Sequence, residues 1–112
     1  MTLREICEIL EVSRRAIQGY ENAGLVKATG RNKYGHLLYD DKAKERIAKI
    51  RFYQQLGLSI ADITSIIDAP NQVVRNVLEQ QVQKLVKEQM KMDDLIKEAN
   101  QIIDRLKNEN DK

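Results

Sequence analysis

The sequence predicts a mainly α protein in which a winged helix-turn-helix domain is followed by a long coiled-coil dimerisation helix. The 112 residues are 42% hydrophobic but only 4% aromatic and contain no tryptophan, so the core must come mainly from aliphatic helix faces. Two short helix patterns lie three residues apart near the N-terminus, and a heptad pattern free of glycine and proline fills the last third of the chain. We predict a DNA-binding domain at residues 1–68 and the dimerisation helix at residues 71–112.

The charges are divided unequally between the two halves. Residues 1–57 hold 11 Lys and Arg against 7 Asp and Glu, whereas residues 58–112 hold 8 against 10. A basic half joined to a mildly acidic helical half favours a nucleic-acid-binding protein with a separate assembly element. The chain has no apolar run of the roughly 18 residues that a membrane span needs and no apolar export sequence, so we expect a cytoplasmic location.

The residue types that would serve catalysis or metal binding are scarce. Cys7 is the only cysteine and His36 the only histidine, so we expect no metal site and no cofactor. The acidic pairs at residues 40–41 and 93–94 have no accompanying nucleophile, general base or phosphate-binding loop. We therefore predict that the protein is not an enzyme.

The first helix is predicted over Leu3–Leu10. Thr2 and Glu5 have the spacing of a capping box, in which each side chain accepts a hydrogen bond from a backbone N–H group of the first turn. The inward face of this helix is assigned to Ile6, Ile9 and Leu10.

The second helix begins after Ser13, a favourable N-cap residue, and ends near Ala23 and Gly24. Its inward face is assigned to Ala16, Ile17 and Tyr20, and the 3.6-residue period then places Arg14, Arg15, Gln18 and Gly19 on the opposite face. Arginine and glutamine can bind base edges or phosphates, and glycine lets the DNA approach the backbone. The alternative is a solvated face that only keeps the protein soluble.

A hairpin is predicted between Leu25 and Tyr39. The segments LVKA and HLLY have strand-like composition, and the basic, turn-forming segment TGRNKYG separates them. A basic hairpin directly after a helix-turn-helix is typical of a wing that contacts phosphates, and the alternative is an ordinary polar loop. Lys27, Arg31, Lys33 and Tyr34 lie in or beside its tip.

Two further helices complete the predicted domain. Asp40 caps a third helix that ends at Gly57, and Ser59 with Asp62 caps a short fourth helix. Their buried positions are assigned to Ala43, Ile47, Ile50, Tyr53 and Leu56, and to Ile60, Ile63, Ile66 and Ile67. Pro70 interrupts the pattern, and Asn71 is predicted to cap a last helix that runs from Val73 to about Lys107.

The last helix carries a heptad seam that predicts dimerisation. Apolar residues recur at alternating intervals of four and three, with Gln89 as one polar exception. Such a seam needs a partner, and the simplest partner is a second copy of the chain; the alternative is a helix folded back on its own domain. The seam residues are Leu78, Val82, Leu85, Met92, Ile96, Ala99, Ile103 and Leu106.

The order of these elements resembles the MerR family of bacterial transcription regulators. The resemblance rests on Val12-Ser13, Tyr20-Glu21, Gly24-Leu25, Tyr34-Gly35, Tyr39 and the segment Leu56-Gly57-Leu58-Ser59. It covers residues 2–67 almost without a gap. It implies a homodimer whose C-terminal helices pair antiparallel and whose two lobes bind successive major grooves of a palindromic promoter. It also implies regulation by DNA distortion, which lets RNA polymerase contact both promoter elements.

Three departures from the family pattern concern the DNA contacts. The usual arginine and first tyrosine of the second helix are Gln18 and Gly19, and the usual tyrosine-arginine pair of the wing is His36-Leu37. The departures imply an altered base preference or fewer phosphate contacts. With the residues that remain available by alignment, the predicted DNA-binding set is Arg14, Arg15, Gln18, Tyr20, Lys27, Arg31, Lys33, Tyr34, His36 and Arg51.

Two other functions remain open from the sequence. The protein could be an architectural, excisionase-like DNA-bending protein that does not act at promoters. It could also be an adaptor whose coiled coil binds a different protein.

Overall fold

The computed structural model describes the backbone of residues 1–110 and the side chains of residues 1–109. Within residues 1–110, five helices and one two-stranded sheet follow one another. They are α1 (Leu3–Leu10), α2 (Arg14–Asn22), β1 (Gly30–Arg31), β2 (Leu37–Leu38), α3 (Asp41–Gln55), α4 (Ile60–Ile66) and α5 (Asn71–Asn110). This confirms the predicted class, a winged helix-turn-helix with a long C-terminal helix. The chain divides into two compact units, Met1–Arg75 and Asn76–Lys112, while the predicted boundary at residues 68–71 stays a prediction.

Side-chain caps set where the helices begin. Thr2 and Glu5 form the predicted capping box, in which the Thr2 N–H donates to Glu5 Oε1 over 3.1 Å. Ser13 Oγ accepts from the Ala16 N–H over 3.0 Å, and Asp40 Oδ1 accepts from the Ala43 N–H over 2.8 Å. These bonds satisfy N–H groups that have no partner within their own helix. The starts of α1, α2 and α3 could therefore be predicted from local sequence.

The turn between α1 and α2 contains a residue in a left-handed conformation. Glu11 has a φ of 52°, a region that non-glycine residues seldom adopt. The Val12 N–H donates to the Cys7 carbonyl over 3.2 Å, and the Val12 side chain is buried. The left-handed residue ends α1, and Val12 anchors the turn in the core.

The core of the first unit is aliphatic with three tyrosines. Its largest fully buried side chains are Tyr20, Tyr39, Ile6, Ile17, Ile47, Ile50, Ile63 and Ile66. Ile9 is 52% exposed, so its assignment to the inward face of α1 was wrong. An eight-residue helix buries only a narrow stripe, and in α1 that stripe is centred on Ile6.

The wing is shorter than predicted and lies further along the chain. Gly30 pairs with Leu38 and Arg31 with Leu37, so LVKA is not a strand, and two residues assigned to the turn form β1. Leu25 and Val26 are buried in the core, which explains their apolar character without a strand. Asn32 Oδ1 accepts the N–H groups of Tyr34 and His36 over 2.9 and 3.0 Å, and this side-chain bridge closes the tip.

The helix α5 begins two residues before its predicted start. Asn71 is the first helical residue and not the N-cap, because the Pro70 carbonyl accepts the N–H groups of Val73 and Val74 over 3.0 and 3.2 Å. Among residues 76–109, whose side chains the structure describes, none is buried. Ile96, Ile103 and Leu106 are 51%, 46% and 52% exposed.

Candidate nucleic-acid interface

The exposed face of α2 has the composition predicted for it. Arg14, Arg15, Gln18 and Gly19 are all exposed, whereas Ile17 is buried in the core. The helix therefore presents two guanidinium groups and one carboxamide to solvent. These groups match the donor and acceptor pattern of base edges and the charge of phosphates.

Tyr20 does not belong to this exposed face. Its side chain is 1% exposed, and its hydroxyl donates to Gln54 Oε1 of α3 over 2.6 Å. The pKa of Tyr20 is raised above its ordinary value, because the effect of burial is larger than the opposing effect of the nearby Arg51 guanidinium. The hydroxyl therefore remains protonated and can donate at neutral pH. The predicted direct contact of Tyr20 with DNA was wrong, because the alignment identified the position but could not show which way the side chain points. Tyr20 instead attaches α2 to α3.

Gly19 lies in the interior of α2, where no neighbouring atom requires a glycine. A Cβ atom at this position would meet no heavy atom within 4 Å, and the residue is helical without a positive φ. Glycine in a helix interior destabilises by about 0.5–1 kcal/mol relative to alanine. The glycine therefore lowers stability in a place where the fold would accept a side chain.

The wing presents polar and basic side chains at its tip. Arg31, Lys33, Tyr34 and His36 are exposed, and the exposed fraction of Tyr34 is 72%. The Lys33 ammonium lies 5.1 Å from the centre of the Tyr34 ring, while Arg31 Nη1 donates to the Gly35 carbonyl over 2.9 Å. Arg31 thus helps to hold the tip that displays the other three side chains.

A groove joins α1, the start of α2 and the wing. It has a volume of about 490 Å³ and is lined by Thr2, Leu3, Arg4, Arg14, His36 and Leu37. The structure thus brings together Arg14 and His36, which the sequence placed in separate elements. Arg4 was missed, because only the tertiary fold brings the start of α1 beside the wing.

Most of the predicted residues lie apart from this groove, because only Arg14 and His36 of the ten are among its lining residues. Lys27 is exposed and lines a second groove of about 600 Å³, which Lys42 and Arg46 of α3 also line. Arg51 is half-buried on α3, near the Tyr20 hydroxyl. The predicted residues therefore do not form one continuous set.

Hydrogen bonds from two side chains, Tyr39 and Arg46, hold the surroundings of α2 in place. The buried Tyr39 hydroxyl donates to Glu21 at the end of α2, and its burial raises the pKa of Tyr39. Arg46 donates from Nε to the Leu25 carbonyl and forms a bidentate pair with Asp68, with N–O distances of 2.8 and 2.9 Å. The Arg46 guanidinium holds the pKa of Asp68 below its ordinary value. None of these pairs was foreseen, since the partners are 18 to 22 residues apart.

The described residues contain few other candidate sites. Within residues 1–110, no three His, Cys, Asp or Glu side chains are grouped as a metal ion would require. Among the helices in that range, none combines the length and the apolar character needed to cross a membrane.

Comparison with known proteins identifies two matching family models. One, described as MerR HTH family regulatory protein, matches residues 1–70. The other, described as MerR, DNA binding, matches residues 44–108. Together they extend over both compact units.

One curated relative and one solved structure are similar to this chain over most of its length. The HTH-type transcriptional activator mta of Bacillus subtilis (strain 168) is 31% identical over 103 residues, which are 92% of this chain and 38% of that relative. The crystal structure of MtaN, the N-terminus of the Bacillus subtilis multidrug transporter activator, has 27% identity and a TM-score of 0.70, covering 92% of this chain and 97% of that one.

HiNmlR, a MerR family regulator lacking the sensor domain and bound to promoter DNA, has a TM-score of 0.71 at 20% identity. The match covers 86% of this chain and 77% of HiNmlR, and at this identity it shows a shared fold alone. The chain spans only 27% to 38% of the length of the first three curated relatives.

Proposed function

Because the chain belongs to the MerR family of helix-turn-helix regulatory proteins, we propose that it is a sequence-specific DNA-binding transcriptional regulator that acts as a homodimer. The relatives mta and TipA are HTH-type transcriptional activators, and the match to the MerR HTH family of regulatory proteins confirms the prediction that the chain is not an enzyme. The observation that carries the proposal is the exposed face of α2, where Arg14, Arg15 and Gln18 surround a glycine that the fold does not require.

The exposed face of α2 supports direct reading of DNA sequence. A recognition helix enters the major groove and contacts base edges through its exposed side chains. Arg15 can bind guanine through two hydrogen bonds and Gln18 can bind adenine in the same way. The Gly19 backbone then allows the helix to lie closer to the bases than a longer side chain would permit.

The wing supports contacts with the sugar-phosphate backbone. Its exposed Lys33, Tyr34 and His36 carry donors that suit phosphate oxygens, and such contacts fix orientation without reading sequence. Lys27 and Arg51 are assigned to the backbone as well, because both carry a positive charge on the same unit. Tyr20 contributes by holding α2 on α3 and has no DNA contact in this proposal.

The apolar seam of α5 supports dimerisation. The seam residues are half-exposed or exposed within one protomer, and such a heptad pattern is typical of a coiled coil. In the proposed dimer the two α5 helices pair antiparallel. The two α2 helices then bind half-sites in successive major grooves of a palindromic promoter, about 34–36 Å apart.

Regulation by DNA distortion is the mechanism that the family resemblance favours for such a dimer. Two lobes held at a fixed separation would bend and untwist a promoter whose elements are badly spaced for RNA polymerase. Labels at the two ends of the promoter should then move closer together on protein binding, as energy transfer would measure. Unchanged transfer at saturating protein would contradict the distortion.

Gel-shift titration tests the DNA-binding proposal itself. An operator is first selected from fragments of the source genome, and a scrambled fragment of equal length serves as control. We expect tighter binding to the operator and a linear fall of log affinity with log salt, because phosphate contacts release counterions. Equal affinity for both fragments, or affinity that does not depend on salt, would count against a sequence-specific regulator.

Footprinting separates the regulator from an architectural protein. The proposed regulator protects a site that overlaps promoter elements. Protection confined to recombination sites would instead favour a DNA-bending protein without promoter control.

Light scattering tests the adaptor hypothesis. A chain that is monomeric alone and associates only with a different protein would contradict the homodimer.

A further inference from the structure

The groove between α1, α2 and the wing contains a cation that no sequence pattern assigned to a function. Arg4 projects from the first turn of α1, and its side chain is 79% exposed. Arg14 and His36 line the same groove and are exposed as well. Three separate elements therefore contribute a nitrogen-bearing side chain to one recess of about 490 Å³.

Part of the groove lining is apolar and lies on backbone that is held in place. Leu3 and Leu37 are half-buried, and backbone pairing attaches the wing to the start of α1. Thr2 forms an antiparallel bridge with Leu38, and the Tyr39 N–H donates to the Met1 carbonyl over 2.6 Å. These backbone contacts thus set the distance between the start of α1 and the wing.

The polar group of Thr2 is already engaged within the groove. Its hydroxyl donates to Glu5 Oε1 over 3.1 Å and accepts from the Glu5 N–H over 3.3 Å. The groups left for an anionic ligand are the side chains of Arg4, Arg14 and His36. No carboxylate is among the residues that line the groove.

The ion pair that Arg4 forms does not prevent it from binding a ligand. Arg4 Nε lies 3.2 Å from Glu8 Oε1, and the Glu8 side chain is 66% exposed. Exposed pairs at this helical spacing contribute little to stability and are screened by salt. A phosphate oxygen can therefore take the place of the Glu8 carboxylate, or the planar guanidinium can contact both.

We propose that this groove binds one phosphodiester group of the DNA backbone and that Arg4 supplies the contact, with Arg14 and His36 lining the same groove. This inference rests on the proposed function. A guanidinium group suits this task because its donors match the oxygens of a phosphate. The contact anchors α1 to the same strand that the wing approaches, and it carries no sequence information.

The test compares Arg4→Ala with Lys87→Ala in the full-length chain. Both changes remove one positive charge, but Lys87 is an exposed residue of α5, outside the predicted seam. Affinity is measured for the operator and for scrambled DNA at several salt concentrations. For Arg4→Ala we expect affinity for both fragments to fall about tenfold at low salt. The slope of log affinity against log salt should become shallower by about 0.9.

Three further variants make the test specific to the groove. Arg4→Lys keeps the charge and should keep the salt slope. Glu8→Gln removes the competing carboxylate and should tighten binding to both fragments slightly. Adding Leu37→Arg to Arg4→Ala places a guanidinium at another lining position of the groove and should restore the slope. Thermal unfolding checks that each variant is folded.

The outcomes separate this inference from the proposed function. A wild-type protein that prefers its operator, together with an unchanged slope for Arg4→Ala, overturns the phosphate site and leaves the regulator intact. If Arg4→Ala weakens binding to the operator but not to scrambled DNA, Arg4 contacts a base, which also contradicts the inference. If the slope of log affinity against log salt stays shallow in the Arg4→Ala, Leu37→Arg double variant, the phosphate does not bind in the groove, and the inference is wrong. If the wild type does not bind DNA, both the inference and the proposed function fail.

Discussion

The two compact units differ in how far their own chain buries their apolar residues. In the first unit, Ile6, Ile47 and Ile63 are completely buried by their own chain. In the second, Ile96 and Ile103 are about half-exposed, although their spacing along α5 is as regular as that of any core residue. Apolar pattern alone therefore does not say what covers a residue. The core of the first unit is covered within one chain, whereas the second unit leaves apolar side chains exposed, which the proposed dimer would cover.

The largest expected effect is on association through α5. Ile96→Asp places a charge in the seam, and an unpaired charge in a buried interface destabilises by several kcal/mol. The dissociation constant of the dimer should rise on the order of a hundredfold to a thousandfold. Light scattering over a concentration series measures this change.

The matched control for the seam is Gln101→Asp, which adds the same charge at an exposed position predicted to face away from it. Its dimer should be unaffected. A stable dimer of the Ile96→Asp variant would show that the seam register is wrong, and dissociation of both variants would point to a general charge effect.

The next effect concerns the core of the first unit. Ile47→Ala removes a completely buried side chain of α3, and such truncations lower the free energy of unfolding by about 2–5 kcal/mol. Ile9→Ala, at a position that is 52% exposed, should change it by less than about 0.5 kcal/mol. Denaturant unfolding of the two variants measures this difference. Similar losses in both variants would contradict the burial described for α1.

A smaller effect is expected on DNA recognition. Arg15→Ala should weaken binding to the operator by about 1–3 kcal/mol, because one bidentate base contact is lost. Its stability and dimerisation should match those of the wild type, since Arg15 is exposed. Titration with operator and scrambled DNA measures the change in preference. Undiminished operator affinity would remove α2 from the interface.

Gly19→Ala should move stability and DNA affinity in opposite directions. The added methyl group meets no atom of the protein, so helix propensity should raise the free energy of unfolding by about 0.5–1 kcal/mol. Affinity for the operator should fall, because the methyl group stands between the helix and the bases. Thermal unfolding and gel-shift titration measure the two quantities. A variant that is both more stable and equally tight in binding would show that DNA does not approach this position.

The smallest effect concerns the Arg46–Asp68 pair and depends on pH. Arg46 lowers the pKa of Asp68 in the folded protein, so the pair stabilises the fold above the unfolded carboxyl pKa of about 3.9. That contribution disappears as the pH falls through the lower folded value. Asp68→Asn should therefore lower the melting temperature slightly at pH 7, and the two proteins should converge below about pH 4. A difference that stays constant down to pH 2 would contradict the ionic contribution.

Local sequence was sufficient to predict the five helices and the caps of the first four, whereas the predicted cap of α5 at Asn71 was wrong. The signals at Thr2, Ser13, Asp40 and Ser59 act within three residues, and the structure has each of these caps. The wing was placed too early because Leu25 and Val26 have the composition of a strand. Their apolar side chains serve the helical core instead, and a short apolar segment does not distinguish these two uses.

The parts of the candidate site that depend on tertiary contacts could not be predicted. Tyr20 and Gln54 are 34 residues apart, and only the packing of α2 on α3 brings them together. The same is true of Arg4, whose neighbours in the groove come from α2 and the wing. The exposed face of α2 was predictable, because its period follows from the helix alone.

The separation of the buried and exposed faces of α2 has a consequence for evolution. Ile17 and Tyr20 hold the helix in the core, whereas the side chains of Arg15 and Gln18 lie outside it. Substitutions at such surface positions change stability little. If the outer face of this helix reads DNA as proposed, a lineage of such regulators can acquire new binding sites by mutating that face, without first accumulating stabilising mutations elsewhere.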